Sequence, residues 1–177
     1  MNDAGTRQVL HPVVLIDGRS GSGKTTFAAG LAQELGAAGA PAQILHLDSL
    51  YPGWDGLAQG SAAVVVALRE GGFHPYDWHA GEFAASWIAL EPDRPLIIEG
   101  CGALTQANLV AVRGWASQAA SPEVRAIWLE CDETLRRERA LARDGESFAP
   151  YWERWAAQEA AHYSVHEPWL LASESYA

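Results

Sequence analysis

The sequence predicts an α/β fold in which a parallel sheet lies between layers of helices. Short apolar runs rich in Val, Ile and Leu alternate with longer segments of helical periodicity, which is the pattern of repeated βαβ units. The first apolar run, residues 13–16, leads directly into a glycine-rich segment. That segment is Gly18-Arg19-Ser20-Gly21-Ser22-Gly23-Lys24-Thr25.

The glycine-rich segment has the spacing G-x-x-x-x-G-K-[ST] of a phosphate-binding loop. In such a loop backbone N–H groups surround a polyphosphate, the lysine reaches the β and γ phosphates, and the threonine hydroxyl binds Mg²⁺. The chain has eleven arginines and one lysine, which is Lys24. A slim ammonium group suits a tight loop better than a forked guanidinium. We therefore predict a P-loop NTPase-type parallel sheet flanked by helices, as in three-layer nucleoside and nucleotide kinases.

This loop predicts that the protein uses ATP and Mg²⁺. The residues expected to contact the nucleotide are Gly18, Ser20, Gly21, Ser22, Gly23, Lys24, Thr25 and Thr26.

Composition limits the classes of function. The length of 177 residues, with no Pro/Gly/Ser-rich linker, predicts one domain over residues 1–177. The formal net charge of −10 argues against a nucleic-acid-binding protein. No apolar run approaches the roughly 20 residues of a membrane span, so we expect a soluble cytoplasmic protein. Composition leaves a homo-oligomer open.

The first half of the chain predicts three helices, one strand and one aromatic segment after the phosphate loop. Phe27, Leu31 and Leu35 at helical spacing predict a helix over residues 25–35. Residues 43–47 predict a strand that ends at Asp48, and Ser61 is expected to cap a helix over residues 61–70. The aromatic segment 73–79 predicts a substrate-side loop or short strand, and residues 82–90 predict a further helix.

The second half continues the alternation of strands and helices. The strands are predicted over residues 95–100 and 124–129, with a short final edge strand at 169–171. The helices are predicted over residues 105–120, 132–143 and 148–162. Asp132 is expected to cap the helix over 132–143.

Two carboxylates follow predicted strands that we expect to flank the first strand. Asp48 ends the second strand and Glu99 ends the run 95–100. Because the carboxyl ends of parallel strands meet at one edge, Thr25, Asp48 and Glu99 form a candidate Mg²⁺ site. Asp48 is also the candidate general base for an acceptor hydroxyl. The alternative is that these carboxylates only begin a turn and cap a helix.

Aromatic side chains follow the second strand and recur near position 76. Tyr51, Trp54, Tyr76 and Trp78 together indicate a ring-binding pocket, although each could also be ordinary packing. The candidate substrate contacts are Asp48, Tyr51, Tyr76, Asp77 and His79.

An arginine-rich helix predicts a phosphate-covering lid at about residues 132–147. Arg136, Arg139 and Arg143 fall at i, i+3 and i+7 on one face. We expect Arg139 and Arg143 to act catalytically on the transferred phosphoryl group and Arg136 to contact the nucleotide. A solvated helix paired with glutamates is the alternative.

These residues favour phosphoryl transfer to a hydroxyl. The sequence argues against a GTPase switch of the usual kind, because the guanine-reading motif of these proteins needs a second lysine. A nucleoside monophosphate kinase would need cations on the acceptor side, where residues 49–98 offer only Arg69 and Arg94. A non-catalytic ATP-binding regulatory protein stays a further alternative, although it would have little need of the base Asp48.

The chain resembles the uridine kinase and phosphoribulokinase-like P-loop kinases. The resemblance rests on residues 16–25, on Asp48-Ser49-Leu50-Tyr51, on Pro75-Tyr76-Asp77-Trp78, on Ile97-Ile98-Glu99-Gly100 and on the arginines up to Arg143. It implies an ATP- and Mg²⁺-dependent kinase acting on a nucleoside such as uridine or cytidine. It also implies that Asp48 is base and metal ligand, that Glu99 helps to hold Mg²⁺, that Tyr76 and Asp77 contact the nucleoside and that lid arginines contact phosphate. The family's histidine, five residues after the tyrosine, is Gly81 here, and His79 lies only three residues after Tyr76.

Overall fold

The computed structural model describes residues 12–118, 123–145 and 148–177. The helices are α1 (Lys24–Ala37), α2 (Leu57–Glu70), α3 (Gln106–Ala116), α4 (Glu133–Asp144), α5 (Trp152–His166) and α6 (Pro168–Leu171). The strands are β1 (Val13–Asp17), β2 (Gln43–His46), β3 (Gly72–Phe73), β4 (Tyr76–Asp77), β5 (Glu82–Phe83), β6 (Ile88–Ala89), β7 (Leu96–Glu99), β8 (Val124–Leu129) and β9 (Glu174–Tyr176).

Five strands form a sheet in the order β2-β7-β1-β8-β9, and every pair in it is parallel. The predicted α/β class and parallel sheet are thus confirmed. β1 lies in the middle, with β7 and β8 as its neighbours, and Ile16 is in register with both Glu99 and Ile127. The carboxyl ends of these strands therefore meet where the phosphate loop begins.

Alternating side chains of β1 serve two separate cores. Val14 and Ile16 pack with residues of the helix α1 on one face, whereas Val13 and Leu15 belong to the larger core on the other face. That larger core contains residues of α2, α3 and α5. Because helices cover both faces, β1 and β7 are buried along their whole length, which explains their continuous apolar sequences.

The helix predicted over residues 82–90 is wrong. This segment contains β5 and β6, which pair antiparallel with β4 and β3 respectively. Phe83, Trp87 and Ile88 are all exposed, so this segment buries little of its apolar surface. Gly81, at φ 73°, turns the chain between β4 and β5.

The start of α2 also differs from the prediction. The helix begins at Leu57 after Gly56, four residues before the expected cap. Ser61 is instead buried inside the helix, where its hydroxyl donates to the carbonyl of Gly102 at 2.6 Å. Ser61 therefore ties α2 to the turn after β7.

The predicted position of the final edge strand, residues 169–171, is wrong by a few residues. Residues 169–171 lie in the short helix α6, which begins at Pro168, a residue favoured at the first position of a helix. The edge strand is β9, which pairs with β8. The guanidinium of Arg125 on β8 donates two hydrogen bonds of 2.8 Å to the carboxylate of Glu174.

The remaining elements match the predictions apart from their ends. Asp132 caps α4 as predicted, accepting hydrogen bonds from two backbone N–H groups of the first turn. α5 begins after a 3₁₀ turn, Ala149–Tyr151, and continues to His166. The predicted ends of the helix at 119–120 and of the lid at 146–147 lie outside the described residues, as do residues 1–11. Within the described ranges no helix is both long and apolar enough to cross a membrane.

Candidate active site

The phosphate loop connects the buried strand β1 to the N-terminus of α1. Gly21 and Gly23 adopt left-handed backbone angles, with φ of 80° and 95°. A Cβ atom at Gly21 would overlap the backbone of Arg136, so only glycine fits at this position. No side chain caps α1, and its first turn contains no acidic residue. The N–H groups of this helix end, with its positive dipole, therefore suit an anion.

Lys24 lies buried at the start of α1. Its Nζ donates to the carbonyl of Arg19 at 3.1 Å and lies 3.5 Å from Sγ of Cys101. Burial by itself would lower the pKa of Lys24, but the surrounding acidic groups, including Glu159 and Glu99, outweigh burial and raise it. The ammonium group is therefore charged, as phosphate binding requires.

Glu99 ends β7, the strand directly beside β1. The hydroxyl of Thr25 donates to its carboxylate at 3.3 Å, and Nδ1 of His46 lies 2.5 Å from Oε1. The hydrogen bond between His46 and Glu99 raises the pKa of His46. The prediction that the strand ending at Glu99 lies next to the first strand is confirmed.

Asp48 does not follow a neighbour of β1. Its strand β2 lies beyond β7, so the predicted position of that strand was wrong. A 3₁₀ turn, Leu47–Ser49, follows β2, and Asp48 lines the same cavity as Lys24 and Glu99. Asp48 is exposed to solvent through the open cavity, although the protein atoms around its carboxylate are dense enough to desolvate it partly. This desolvation, followed by the charge of Glu99, raises the pKa of Asp48.

A cavity of about 600 Å³ joins the loop to these carboxylates. Its lining residues are Ser20, Gly21, Lys24, Thr25, Asp48, Tyr51, Trp54, Trp78, His79, Glu99, Gly100, Cys101, Arg143, Phe148 and Trp155. One end is thus polar and lined by the phosphate loop, and the other end is largely aromatic.

Trp54 is the centre of the aromatic end. It stacks on Tyr151 and Phe148, with ring centroids 4.4 and 5.3 Å apart, and meets the edge of Trp155 at 6.2 Å. Trp78 packs against Trp54 at 4.9 Å. The indole N–H of Trp78 donates to the backbone carbonyl of Asp48 at 2.8 Å, which connects the aromatic wall to the candidate base.

Some predicted substrate contacts line the cavity and others do not. His79 lines it, and so does Tyr51, although Tyr51 is buried and its hydroxyl donates to the carbonyl of Cys101. Tyr76 lies outside the lining and packs against Trp78 and Phe83. Asp77 is exposed and accepts the N–H groups of His79 and Ala80, which lowers its pKa. Asp77 therefore stabilises a turn in this structure.

The three arginines of the predicted lid also differ in whether they line the cavity. Arg143 lines the cavity, and its charge acts to lower the pKa of Asp48. Arg139 is exposed, with Nη1 3.6 Å from Sγ of Cys131. Arg136 is buried and donates to the backbone carbonyls of Cys131 and Ser20.

Besides Arg136, four predicted nucleotide contacts do not line the cavity. These residues are Gly18, Ser22, Gly23 and Thr26. Ser22 is buried, and its hydroxyl has no hydrogen-bond partner among the residues that the structure describes; a Cβ at Gly18 would lie 2.6 Å from that oxygen. Gly18 and Ser22 thus pack against each other within the loop.

Sequence reasoning missed two buried carboxylates. Asp17 ends β1 and accepts the N–H groups of Gly18, Gly102 and Leu104. Glu159 on α5 accepts the N–H of Ser20 at 2.7 Å. A signal for Asp17 was available, because a charged residue directly after an apolar strand needs partners when buried. Glu159 falls within the helix predicted over residues 148–162, and the neighbouring sequence does not indicate that its carboxylate binds the phosphate loop.

Comparison with known proteins agrees with this architecture. No protein-family model matches the chain, and no curated protein matches it. Among solved structures, a candidate uridine kinase from Bacillus stearothermophilus is 19% identical with a TM-score of 0.60, over 95% of this chain and 89% of that chain. A candidate fructose transport system kinase from Silicibacter sp. TM1040 is 19% identical with a TM-score of 0.57, over 97% and 92%. At this identity the likeness establishes the fold, and the chain therefore has the fold of uridine kinase-like P-loop kinases.

Proposed function

We propose that this protein is an ATP- and Mg²⁺-dependent kinase that transfers the γ-phosphoryl group to a hydroxyl of a small molecule, a nucleoside such as uridine or cytidine. One observation carries the proposal. A single cavity holds a phosphate loop with its lysine, two carboxylates and an aromatic wall. Phosphoryl transfer needs these parts, namely a phosphate cradle, a metal site, a base and a place for the acceptor.

Phosphate binding is assigned to the loop and to the end of α1. Lys24 supplies a buried positive charge, and the uncapped first turn of α1 supplies N–H donors. Arg143, on the cavity wall beside them, adds a second cation for the transferred group. These groups would neutralise charge on the phosphates before and during transfer.

The oxygen ligands present suit Mg²⁺. Thr25, Glu99 and Asp48 would hold the ion, which neutralises phosphate oxygens when bound. Among the described residues, no cluster of three or more His, Cys, Asp or Glu side chains is arranged to bind a metal. This fits Mg²⁺, which binds through one or two carboxylates and completes its shell with substrate phosphates and water.

Asp48 is the proposed general base. Its carboxylate takes the proton of the acceptor hydroxyl as that oxygen forms a bond to the γ-phosphorus. The bond from this phosphorus to the bridging oxygen breaks at the same time, and ADP leaves. The raised pKa of Asp48 makes its carboxylate a better proton acceptor than an ordinary exposed aspartate.

The aromatic end of the cavity supports a ring-bearing acceptor. Trp54 and Trp78 offer ring faces and edges, and His79 offers a polar group. Lys24 and Arg143 are the only Lys and Arg side chains among the described lining residues. Since the phosphates of ATP would occupy these cations, a neutral hydroxyl acceptor suits this end better than a monophosphate.

The test is ADP release from Mg²⁺-ATP in the presence of nucleosides, nucleoside monophosphates, pantothenate and simple sugars. We expect a nucleoside to stimulate turnover and Asp48→Asn to lower kcat by about 10²–10⁴-fold, the usual contribution of a general base. ATP affinity should change little. Asp93→Asn is the matched control, because Asp93 is exposed in the loop before β7, at the opposite end of that strand from Glu99.

Several outcomes would contradict the proposal. An Asp48→Asn variant that keeps more than about a tenth of the rate would remove Asp48 as the base. Stimulation by a nucleoside monophosphate alone would indicate a monophosphate kinase. ATP binding without turnover on any acceptor would favour a regulatory ATP-binding protein.

A further inference from the structure

Two hydrogen bonds hold Ser20, in the middle of the phosphate loop, from opposite sides of its backbone. The N–H of Ser20 donates to Oε1 of Glu159 on α5 at 2.7 Å. The carbonyl of Ser20 accepts from Nη1 of Arg136 on α4 at 3.0 Å. The partners lie 139 and 116 residues away in the chain, so tertiary structure brings them together.

Both side chains are buried, and both have further partners that fix them. Glu159 is 1% exposed, and its Oε1 also accepts from the thiol of Cys101 at 3.2 Å. Arg136 is 6% exposed and donates through Nε to the carbonyl of Cys131 at 3.2 Å. Each side chain therefore holds Ser20 from a fixed position.

We propose that Glu159 and Arg136 are positioning residues that clamp the two peptide groups of Ser20 and hold the phosphate loop in its nucleotide-binding conformation. This inference rests on the proposed function, since it concerns how the same site binds nucleotide. The clamp assigns Arg136 a role different from direct contact with phosphate. Its guanidinium is directed to two backbone carbonyls, and the cavity lining does not include it.

The clamp extends to Lys24 through two routes. Nζ of Lys24 donates to the carbonyl of Arg19, the residue just before Ser20. It also lies 3.5 Å from Sγ of Cys101, the thiol that donates to Glu159. A change in the backbone around Ser20 would therefore move the carbonyl that holds the lysine. The loop amides and the lysine are arranged together before nucleotide arrives, which lowers the ordering cost of binding.

The experiment measures equilibrium affinity for ADP and for ATP, with Mg²⁺, in Glu159→Ala and Arg136→Met. We expect each variant to weaken ADP binding by about tenfold or more, because each removes a hydrogen bond that has one charged partner. The affinity for ADP and the affinity for ATP should fall by the same factor, since the loop contacts phosphates that both nucleotides contain. The fold loss of ADP affinity in the double variant should be smaller than the product of the fold losses in the two single variants, because both residues act on Ser20.

Matched controls lie on the same two helices. Arg137 on α4 and Glu153 on α5 are exposed and pair with each other at 3.9 Å. Arg137→Met and Glu153→Gln should leave both affinities within about twofold of the wild type. Glu159→Gln keeps an oxygen that can accept from Ser20, and it should restore most of the ADP affinity lost in Glu159→Ala. Arg136→Lys and Glu159→Gln also provide measurable proteins if the larger truncations do not fold.

The outcomes separate the clamp from other roles. A loss of ATP affinity at least fivefold greater than that of ADP in Arg136→Met would place Arg136 at the γ-phosphate and overturn the clamp. Unchanged ADP affinity in folded variants would overturn it as well, while leaving the proposed kinase intact. A wild-type protein that bound neither nucleotide would overturn the proposed function and the clamp with it.

Discussion

Asp17 joins three parts of the chain through one buried carboxylate. Its Oδ1 accepts from the N–H of Gly18, the N–H of Gly102 and the hydroxyl of Tyr163, and Oδ2 accepts from the N–H of Leu104. These donors belong to the phosphate loop, the turn after β7 and α5. Burial nevertheless dominates and raises the pKa of Asp17 from 3.8 to about 6. The residue organises the site at an electrostatic cost.

This raised pKa predicts a pH dependence of stability. The native carboxyl binds its proton more tightly than the unfolded one, so between about pH 4 and 6 the native state holds more protons. The contribution of Asp17 to stability therefore falls as pH rises through this window. One pKa unit corresponds to about 1.4 kcal/mol, so the total change is about 3 kcal/mol.

Urea unfolding of the wild type and of Asp17→Asn from pH 4 to 7 tests this prediction. Asparagine does not titrate, so the difference in free energy of unfolding between the two proteins should shrink by about 3 kcal/mol as pH rises. The other carboxyl groups are the same in both proteins, so their contributions to the pH dependence cancel in this difference. A difference that stays constant to about 0.5 kcal/mol over this range would contradict the raised pKa of Asp17.

At the scale of elements, α5 supports the phosphate loop along one face. Glu159 binds the N–H of Ser20, and one turn later the hydroxyl of Tyr163 donates to Asp17 and lies 3.2 Å from the carbonyl of Gly18. The guanidinium of Arg19 lies over the ring of Tyr163, 5.2 Å from its centre. Near its start, the same helix forms an ion pair from Arg154 to Asp55. α5 thus contacts both the loop and the segment after Asp48.

Replacing Tyr163 with Phe should destabilise the protein while preserving the packed ring. The change removes the hydroxyl donor to Asp17 and the contact with Gly18, which we expect to cost about 1–3 kcal/mol. Chemical denaturation at pH 7 measures the loss. Tyr176→Phe is the control, because the hydroxyl of Tyr176 donates to Glu174 at the exposed sheet edge, where water can replace it, and its loss should cost no more than about 0.5 kcal/mol. Equal stability of the two variants would show that the hydroxyl of Tyr163 contributes little.

At the scale of the whole molecule, the cavity lies where separate elements meet at the carboxyl end of the sheet. β1 supplies the loop, β7 supplies Glu99, the turn after β2 supplies Asp48, and the segment after α4 supplies Phe148. A ligand that binds there contacts distant parts of the chain at once. Nucleotide binding should therefore stabilise the whole fold by mass action.

Mg²⁺-ADP at about 100 times its dissociation constant should add about 2.7 kcal/mol of stability. For a chain of this size that corresponds to a rise in Tm of about 5–10 °C. Lys24→Arg should abolish most of this rise, because the forked guanidinium does not fit the buried position of the ammonium group. Arg69→Lys, an exchange at an exposed ion pair on α2, should keep the full shift. A full shift in Lys24→Arg would show that charge alone suffices at position 24.

The sequence predicted the parallel sheet, most of the helices and the phosphate loop, because local periodicity and one specific motif specify them. The predictions were wrong where the conformation of a segment depends on the strand with which it pairs. Residues 82–90 become strands only because β3 and β4 offer edges, and the final edge strand lies at β9 because the chain first turns through α6. The sequence placed Asp48 at the end of a strand, but it did not predict the position of that strand, since strand order is a non-local property.

Sequence alone determined the chemistry offered here: a phosphate loop with the only lysine of the chain, two carboxylates after apolar strands, and an arginine-rich helix capped by Asp132. Tertiary structure decided which of these groups meet. It brought Asp48 and Arg143 to the cavity, turned Arg136 toward the carbonyl of Ser20 and buried Glu159 against the loop. The physical reason is that buried polar groups must find partners, and the two side chains that bind Ser20 lie 139 and 116 residues away in the chain.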